Sequence, residues 1–419
     1  MFATVLRARV PSTMRNVSTH SGRGITAVLQ KNPDDVVITF AKRTAMGKYR
    51  KGQFKDIPVD EMMQALLKAT FEKTKLDPAK LDDICVGTCH TPSPMYTSRA
   101  AALASGVPQD VPISTVNRLC SSGLMAVRNI AHSIQSGEIS MGMAVGVENM
   151  TLNPRLTPVI AESVDKDPRA HDCIQPMGWT SEMVAQTYKV SRQKQDEYAL
   201  VSHTRAAKAM AAGIFSDEII PVEIRGTVIS ADDTVRPGVT METLSGLKPA
   251  FQDWGDAATT AGNASGIGDG AALCILTTRE RAEKENMEIL GKWVGSVVVG
   301  VEPRYMGVGP ISAIPKVLAQ VGLTKDDIDI YEINEAFASQ FAYCVEELGI
   351  SMDKINPNGG AIAVTHPVGM TGLRQVVTGL AELRRSDKKL LCTSMCVGSG
   401  MGAAGVFVNE AQPLREAKL

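Results

Sequence analysis

The sequence predicts an α/β protein made of two duplicated halves with a segment inserted between them. Three observations carry this expectation. Short apolar strand patterns alternate with helical ones from residue 35 to 147 and again from about 323 to 395. The two stretches align at a nearly constant spacing of about 246 residues. The intervening residues 151–265 follow neither pattern and carry Pro154, Pro158, Pro168 and Pro176.

Asp35 to Phe40 reads as a first strand, because its apolar residues are β-branched or aromatic. A helix is expected over 59–75, with Met62, Leu66, Leu67, Ala69 and Phe71 near one side. Leu81 to Val86 is a second strand, and Ser98 to Ser105 a helix of small residues. From Leu124 a further helix keeps Leu124, Val127, Ile130, Ala131 and Ile134 on one face until Gly137 stops it. Met141 to Val147 is rich in Gly and Ala and reads as a buried strand. Within the insertion, a long helix from about Ser191 to Ala212 is closed by Gly213, and a loop carries Arg236-Pro237-Gly238.

The third section repeats the first. Leu76 to Ile84 lies over Leu323 to Tyr331, 247 residues on, and Cys120-Ser-Ser-Gly123 over His366-Pro-Val-Gly369, 246 residues on. A helix near Thr371 carries Leu373, Val376, Val377, Leu380 and Leu383, and the strand Leu390 to Met395 echoes 141–147. If two such halves pack about a pseudo-twofold axis, Cys120 and His366 both begin helices that face a shared centre.

Composition excludes several classes. A net charge of -1 gives no electrostatic reason to expect nucleic acid. No apolar run reaches the roughly 18 residues of a membrane span. The eight cysteines are scattered, which argues for a reducing compartment over a disulfide framework. Cys85 with Cys89 and Cys392 with Cys396 are each four apart, and His90 lies beside the first pair. Both pairs fall on apolar strand-like segments without a second cluster, so no metal site is expected. Residues 1–33 hold Arg7, Arg9, Arg15, Arg23 and Lys31 with no acid, as an organelle presequence or disordered head would. The chain ends Ala417-Lys418-Leu419, similar to a Ser-Lys-Leu peroxisomal address.

Cys120 stands just before a helix start, among unsatisfied N–H groups and the positive end of the dipole. That place is expected to lower the thiol pKa and keep the sulfur reactive, because the thiolate is the nucleophile. Against this stands the common fate of a free cysteine, a small buried hydrophobe.

Four segments extend the argument: Asn117-Arg-Leu-Cys120-Ser-Ser-Gly123, Asn334-Glu335-Ala336-Phe337, Gly359 to Gly369 around His366, and Cys396-Val-Gly398-Ser-Gly400-Met-Gly402. With Thr260 to Gly266 and Tyr305 to Pro310, they resemble the thiolase family from about residue 34 to 410, specifically its degradative 3-ketoacyl-CoA branch. The resemblance implies a five-layered αβαβα thiolase fold with an inserted loop domain. It divides the chain into a head (1–33), an N-terminal half (34–150), a CoA-binding insertion (151–265), a return to the first half (266–290), a C-terminal half (291–412) and a tail (413–419).

The implied reaction is ping-pong thiolysis of a 3-ketoacyl-CoA by CoA, which gives acetyl-CoA and a shortened acyl-CoA through an acyl-cysteine. Cys120 matches the nucleophile, His366 its base, and Cys396 the acid/base thiol. Two oxyanion holes are implied: His366 with a water held by Asn334, and the backbone N–H groups of Cys120 and Gly398. Glu335 is expected to orient its neighbours, not to react. Gly398, Gly400 and Gly402 read as close approach of the backbone to a ligand. Arg236, Thr243 and Ser265 match positions along CoA, and Met177 and Met306 positions beside the thioester. No permanently bound cofactor is implied, CoA being a co-substrate. Implied partners are a second copy of the chain in a homodimer, or a tetramer, and a peroxisomal import receptor.

Pro176, where biosynthetic thiolases commonly have His, favours the degradative branch. The second cysteine speaks against the related ketoacyl synthases. Thr365 departs from the family, which has Gly there, and so do Val368, Met370 and Leu373. Thr avoids positive φ, and the bulk of Met370 and Leu373 is expected to narrow the acyl pocket or alter helix packing. The rival readings are a biosynthetic acetoacetyl-CoA thiolase and a CoA- or lipid-binding protein without turnover. The compartment is the peroxisome by the tripeptide, or the mitochondrion by the basic head.

Overall fold

The computed structural model describes residues 24–413. The expected head falls outside these residues up to position 23, and so does the terminal tripeptide. Nine strands form the central sheet: β1 (Val36–Arg43), β2 (Asp83–Gly87), β3 (Ile113–Val116), β4 (Met141–Asn149), β5 (Gly268–Thr278), β6 (Gly291–Gly300), β7 (Ile330–Ile333), β8 (Leu390–Val397) and β9 (Met401–Asn409). A two-residue strand at Gly47–Lys48 adds to β5. Eight helices concern the site: α1 (Val59–Thr74), α2 (Pro94–Ala104), α3 (Ser122–Gln135), α4 (Met177–Thr187), α5 (Arg192–Ala211), α6 (Gly309–Val321), α7 (Ala338–Leu348) and α8 (Val368–Arg385).

The sheet runs β7-β8-β9-β6-β1-β5-β4-β2-β3. Read outward from the β6–β1 seam, each half gives one strand, two antiparallel neighbours and then a parallel edge. The duplication seen in the sequence is therefore present in the strand order. β3 pairs with β2 from Ile84 to Gly87, whereas its counterpart beyond β7 shrinks to one bridge, Tyr331 to Ile355. The seam itself is short, only Val37 with Lys292 and Ile38 with Gly291. Every residue of β4, β5 and β8 is buried, which is why these strands read as continuous apolar runs without alternation.

The halves are held together by helices more than by this seam. α3 and α8 pack against each other, and α8 also touches strands of both halves. Its residues from Val368 to Leu380 are buried without a break. Glycines permit the crossing: a Cβ on Gly123 would lie 2.8 Å from the Gly369 carbonyl and from Leu373 N. A Cβ on Gly372 would lie 2.6 Å from Leu124 N. Backbone stands on both sides, so only glycine fits. This contact brings the N-terminal ends of α3 and α8 together, and with them Cys120 and His366.

The expected helix ends hold for physical reasons visible here. Ser191 caps α5 by accepting from Lys194 N at 3.2 Å, and Gly213 ends it at φ 69. The inserted region adds α4, α5 and a small ribbon, Val222–Ile224 with Thr227–Ile229. It is tied to the first half through Arg43 at the end of β1, a fully buried guanidinium. Arg43 donates to Glu218 Oε1 at 2.9 Å and makes a bidentate pair with Asp232 at 2.7 and 2.9 Å. Burial alone would discharge it, but the two carboxylates hold its pKa above the usual value.

Candidate active site

Cys120 sits in a tight turn between β3 and α3. Asn117 Oδ1 accepts from Leu119 N at 2.9 Å, and Ser122 Oγ accepts from Arg118 N at 2.9 Å and donates to the Leu119 carbonyl at 2.7 Å. These bonds hold Leu119 at φ 47, the left-handed turn that presents the next residue, Cys120. The expected lowering of its pKa is not what the structure gives. Burial pushes the Cys120 thiol up, and hydrogen bonds from the N–H groups of Gly398 and of Cys120 itself only partly oppose it. The resting sulfur is therefore a thiol that needs a base.

His366 is the candidate the sequence offers for that task. Its Nδ1 lies 2.6 Å from Thr371 Oγ1, whose hydroxyl donates to the Pro367 carbonyl at 2.9 Å. The hydroxyl proton is thus committed, so Nδ1 carries the imidazole proton and Nε2 is left as a base. Nε2 faces Asn334 Nδ2 at 3.4 Å. Burial, with Arg374 adding, pushes the His366 pKa down to about 3, so the ring is neutral at physiological pH.

Asn334 ends the β7 segment, its N–H bonded to the Ser394 carbonyl at 2.9 Å. It does not cap α7, whose N-cap is Phe337. Its Oδ1 is buried without a hydrogen-bond partner, an acceptor left open beside the imidazole. Glu335 points away as a strut: its carboxylate accepts from Ser202 Oγ at 2.6 Å, Asn356 Nδ2 at 2.8 Å and Ile362 N at 3.2 Å. It thereby anchors the segment that leads into His366.

Cys396, near the end of β8, is fully buried in a small cluster with Met306 and Ala336, against which Met177 and Phe337 pack. Burial raises its thiol well above the usual value, and the neighbouring Cys120 adds to the shift. A cavity of about 570 Å³ opens from Cys120 past Met177, Gly398, Val368, Leu156 and Arg155. Its size and largely apolar wall suit an organic ligand.

The remaining expected residues are spread more widely. Ser265 donates its N–H to the Ala336 carbonyl and precedes Gly266, whose carbonyl accepts from His366 N at 2.9 Å. Arg236 is exposed, two residues beyond Thr234, which donates to the Val364 carbonyl at 3.1 Å. Thr243 is exposed and occupied in a capping box with Thr240. Neither Arg236 nor Thr243 borders the cavity at Cys120.

Three readings are corrected or narrowed by the structure. Gly400 and Gly402 serve packing, since a Cβ on them would strike Val301 O at 2.6 Å and Gly309 O at 2.3 Å. Of the three glycines only Gly398 borders the cavity. Of the two outcomes expected of Met370 and Leu373, packing is the one found: both are fully buried, Leu373 against Gly123 at the α3–α8 crossing and Met370 against Gly270 of β5, and neither borders the cavity. The third is the lowered thiol at Cys120, already described.

Sequence reasoning missed Thr371, which fixes the tautomer, and Arg374, which pairs with Glu332 at 2.7 Å and helps keep His366 neutral. It also missed Glu148, buried and accepting from the N–H groups of Cys89, His90 and Gly369 at 2.9 to 3.0 Å. A hydroxyl five residues after a histidine carries no signal of its own. An acid at the end of the apolar run 141–147 is such a signal, because once buried it must find partners.

Among the described residues, no group of three or more His, Cys, Asp or Glu is arranged to hold a metal ion. All eight cysteines are free. The arrangement can run acyl transfer: a thiol under two N–H groups, a neutral imidazole whose unprotonated nitrogen faces the Asn334 amide, and a second thiol close enough to feel the first.

The chain is similar to known proteins over most of its length. Residues 36–280 match the family model "Thiolase, N-terminal domain" and residues 287–409 "Thiolase, C-terminal domain". The mouse (Mus musculus) "3-ketoacyl-CoA thiolase B, peroxisomal" is 49% identical over 391 residues, 90% of this chain and 92% of the relative. The dimeric peroxisomal thiolase of Saccharomyces cerevisiae superposes with a TM-score of 0.88 at 45% identity, covering 92% of this chain and 100% of the yeast chain. A second structure of the yeast protein is described as five-layered, built from two core domains of identical topology (TM-score 0.77, 39% identity, 91% of this chain and 100% of that one). Human mitochondrial 3-ketoacyl-CoA thiolase in complex with CoA has a TM-score of 0.82 at 34% identity, covering 91% and 100%.

Proposed function

The chain belongs to the thiolase family, and from that premise we propose that it is a degradative acetyl-CoA C-acyltransferase acting on 3-ketoacyl-CoA in peroxisomal β-oxidation. Relatives 44% to 49% identical to it are named peroxisomal 3-ketoacyl-CoA thiolases, which supports both the substrate class and the compartment. CoA is the second substrate and no permanently bound cofactor takes part. The working form is a homodimer, in line with the dimeric yeast relative, delivered by a peroxisomal import receptor.

The proposed steps follow the protons. His366 Nε2 takes the proton of Cys120 Sγ, and the thiolate attacks the 3-keto carbon. The carbonyl oxygen becomes an oxyanion, held by one of the two proposed donor sets. As the C2–C3 bond breaks, acetyl-CoA leaves as an enolate and takes a proton from Cys396. The Cys396 thiolate then takes the proton of incoming CoA, whose sulfur attacks the acyl-Cys120 thioester. Collapse releases the shortened acyl-CoA, and the Cys120 sulfur recovers its proton from His366. The two donor sets are the N–H groups of Cys120 and Gly398, and His366 with a water held on Asn334 Oδ1. Met177 and Met306 flank the thioester, while Arg236, Thr243 and Ser265 line the CoA arm. Residues 34–150 and 266–290 form one half, 291–412 the other, and 151–265 the CoA-binding insertion.

The single observation that carries this reading is the proton inventory at His366. A tautomer fixed by Thr371 leaves a basic nitrogen in a site whose nucleophile rests as a thiol. Steady-state thiolysis across a series of 3-ketoacyl-CoA chain lengths tests it. Turnover of medium-chain thioesters, lost in Cys120→Ala and Cys396→Ala, is expected. Activity confined to acetoacetyl-CoA would favour a biosynthetic enzyme instead, and stoichiometric acylation without turnover a binding protein.

A further inference from the structure

The residue before His366 stands in a conformation that its side chain ought to refuse. Thr365 has φ 84 and ψ 169, a region populated essentially by glycine. It is also buried, at 3% exposure. Such a conformation persists only where the surroundings over-determine it, and here they do. Thr365 Oγ1 donates to the Gly266 carbonyl at 2.6 Å, and the same carbonyl accepts His366 N–H at 2.9 Å. Two consecutive residues thus converge on a single oxygen. The niche is made by glycines: a Cβ on Gly268 would lie 2.5 Å from Thr365 Oγ1 and 2.6 Å from its Cγ2. One on Gly266 would lie 3.0 Å from Oγ1. A β-branched side chain has few χ1 choices, so a hydroxyl seated this way cannot swing free without moving the backbone.

We infer that Thr365 is a positioning residue for His366, its hydroxyl clamping the imidazole-bearing turn to the Ser265–Gly268 strand entry. The inference rests on the reading of His366 as the base. The clamp fixes the backbone that carries the imidazole while the Thr371 hydroxyl holds Nδ1, so Nε2 keeps its aim at the Asn334 amide. A glycine at this place would relieve the backbone strain and surrender the anchor.

Three variants separate a clamp from a tolerated passenger. Thr365→Ser keeps the hydroxyl, Thr365→Val keeps the shape without it, and Thr365→Gly removes strain and hydroxyl together. Thiolysis kinetics give one readout. Iodoacetamide alkylation of Cys120 at pH 7, followed by peptide mass, gives a second that needs no acyl-CoA. Thr365→Val and Thr365→Gly are expected to lose at least about tenfold in kcat, with KM for CoA within about twofold. Their Cys120 alkylation falls in parallel, while Thr365→Ser stays within about twofold of wild type in both readouts. The melting temperature of Thr365→Gly is expected to match or exceed that of wild type. The inference is overturned if Val and Gly keep both readouts within twofold, or if Ser falls as far as Val. It is equally overturned if Gly melts well below wild type, since the side chain would then act by supporting the fold. A wild-type enzyme that does not turn over 3-ketoacyl-CoA would defeat the proposed function alone, because the alkylation series still decides the clamp.

Discussion

Gly123, in the first turn after Cys120, lies directly against the backbone of Leu373 in the helix that follows His366. The contact lies where the helix after Cys120 crosses the helix after His366, one of the places where the duplicated halves meet. Gly123→Ala places a methyl 2.8 Å from Leu373 N and from the Gly369 carbonyl. Neither can retreat as a side-chain end would. The expected cost is about 1–3 kcal/mol in urea unfolding, with loss of thiolysis beyond what the unfolded fraction accounts for. Wild-type kcat in a folded Gly123→Ala enzyme would show that the crossing does not position the site.

Thr371 decides which nitrogen of His366 is basic. Thr371→Val keeps the shape and removes the acceptor for Nδ1–H, so the ring is free to turn or to change tautomer. A fall in kcat on the order of 10²-fold is expected, with the melting temperature little changed. Unaltered kcat would mean that the tautomer is fixed by something else.

The buried imidazole also links stability to pH. Burial, with Arg374 adding, holds folded His366 down at about 3, against about 6.5 for an exposed imidazole. Between those values the unfolded chain binds a proton that the folded chain does not. Stability is therefore fully present above pH 6.5 and declines as pH falls toward 3. At pH 5 this one group accounts for a loss on the order of 2 kcal/mol. His366→Gln removes it, so denaturation midpoints from pH 7 to 5 should fall less steeply in the variant. Parallel slopes would contradict the buried neutral ring.

Arg43 is the rivet between β1 and the insertion. Arg43→Met leaves Glu218 and Asp232 facing each other in the interior without a counter-charge. The expected loss is about 3–5 kcal/mol. Thermal melts check it, and limited proteolysis of the 217–233 segment shows whether the insertion loosens first.

Much of the fold was legible because fully buried strands and glycine-closed helices leave patterns that depend on local chemistry. β4 and β8 announced themselves as apolar runs, α5 by Ser191 and Gly213, and the duplication by a constant spacing. The narrowing of the second parallel edge to the Tyr331–Ile355 bridge left no comparable trace. In the site, Cys120, His366, Asn334 and Cys396 stood out in motifs. Their electrostatics did not. A helix start alone argues for a lowered thiol, but burial at the cavity floor outweighs the two N–H groups that the thiol meets. Glu148 acts through contacts made only when distant segments fold together, and so does Arg374 in its pair with Glu332; Thr371 is close to His366 in sequence, but only the turn at Pro367 aims its hydroxyl at the ring. The glycines after Cys396 looked alike in sequence, and only the packing of residues 301–309 against two of them separates their tasks.

The central claim is that one sulfur carries the acyl group. Wild-type protein mixed with a slight excess of 3-ketooctanoyl-CoA, without added CoA, and analysed by intact mass and peptide mapping, tests it most directly. One hexanoyl group per chain is expected, on Cys120, with release of one equivalent of acetyl-CoA. An acyl group on Cys89, Cys173 or Cys396 in its place, or acetyl-CoA released with no covalent adduct, would contradict it.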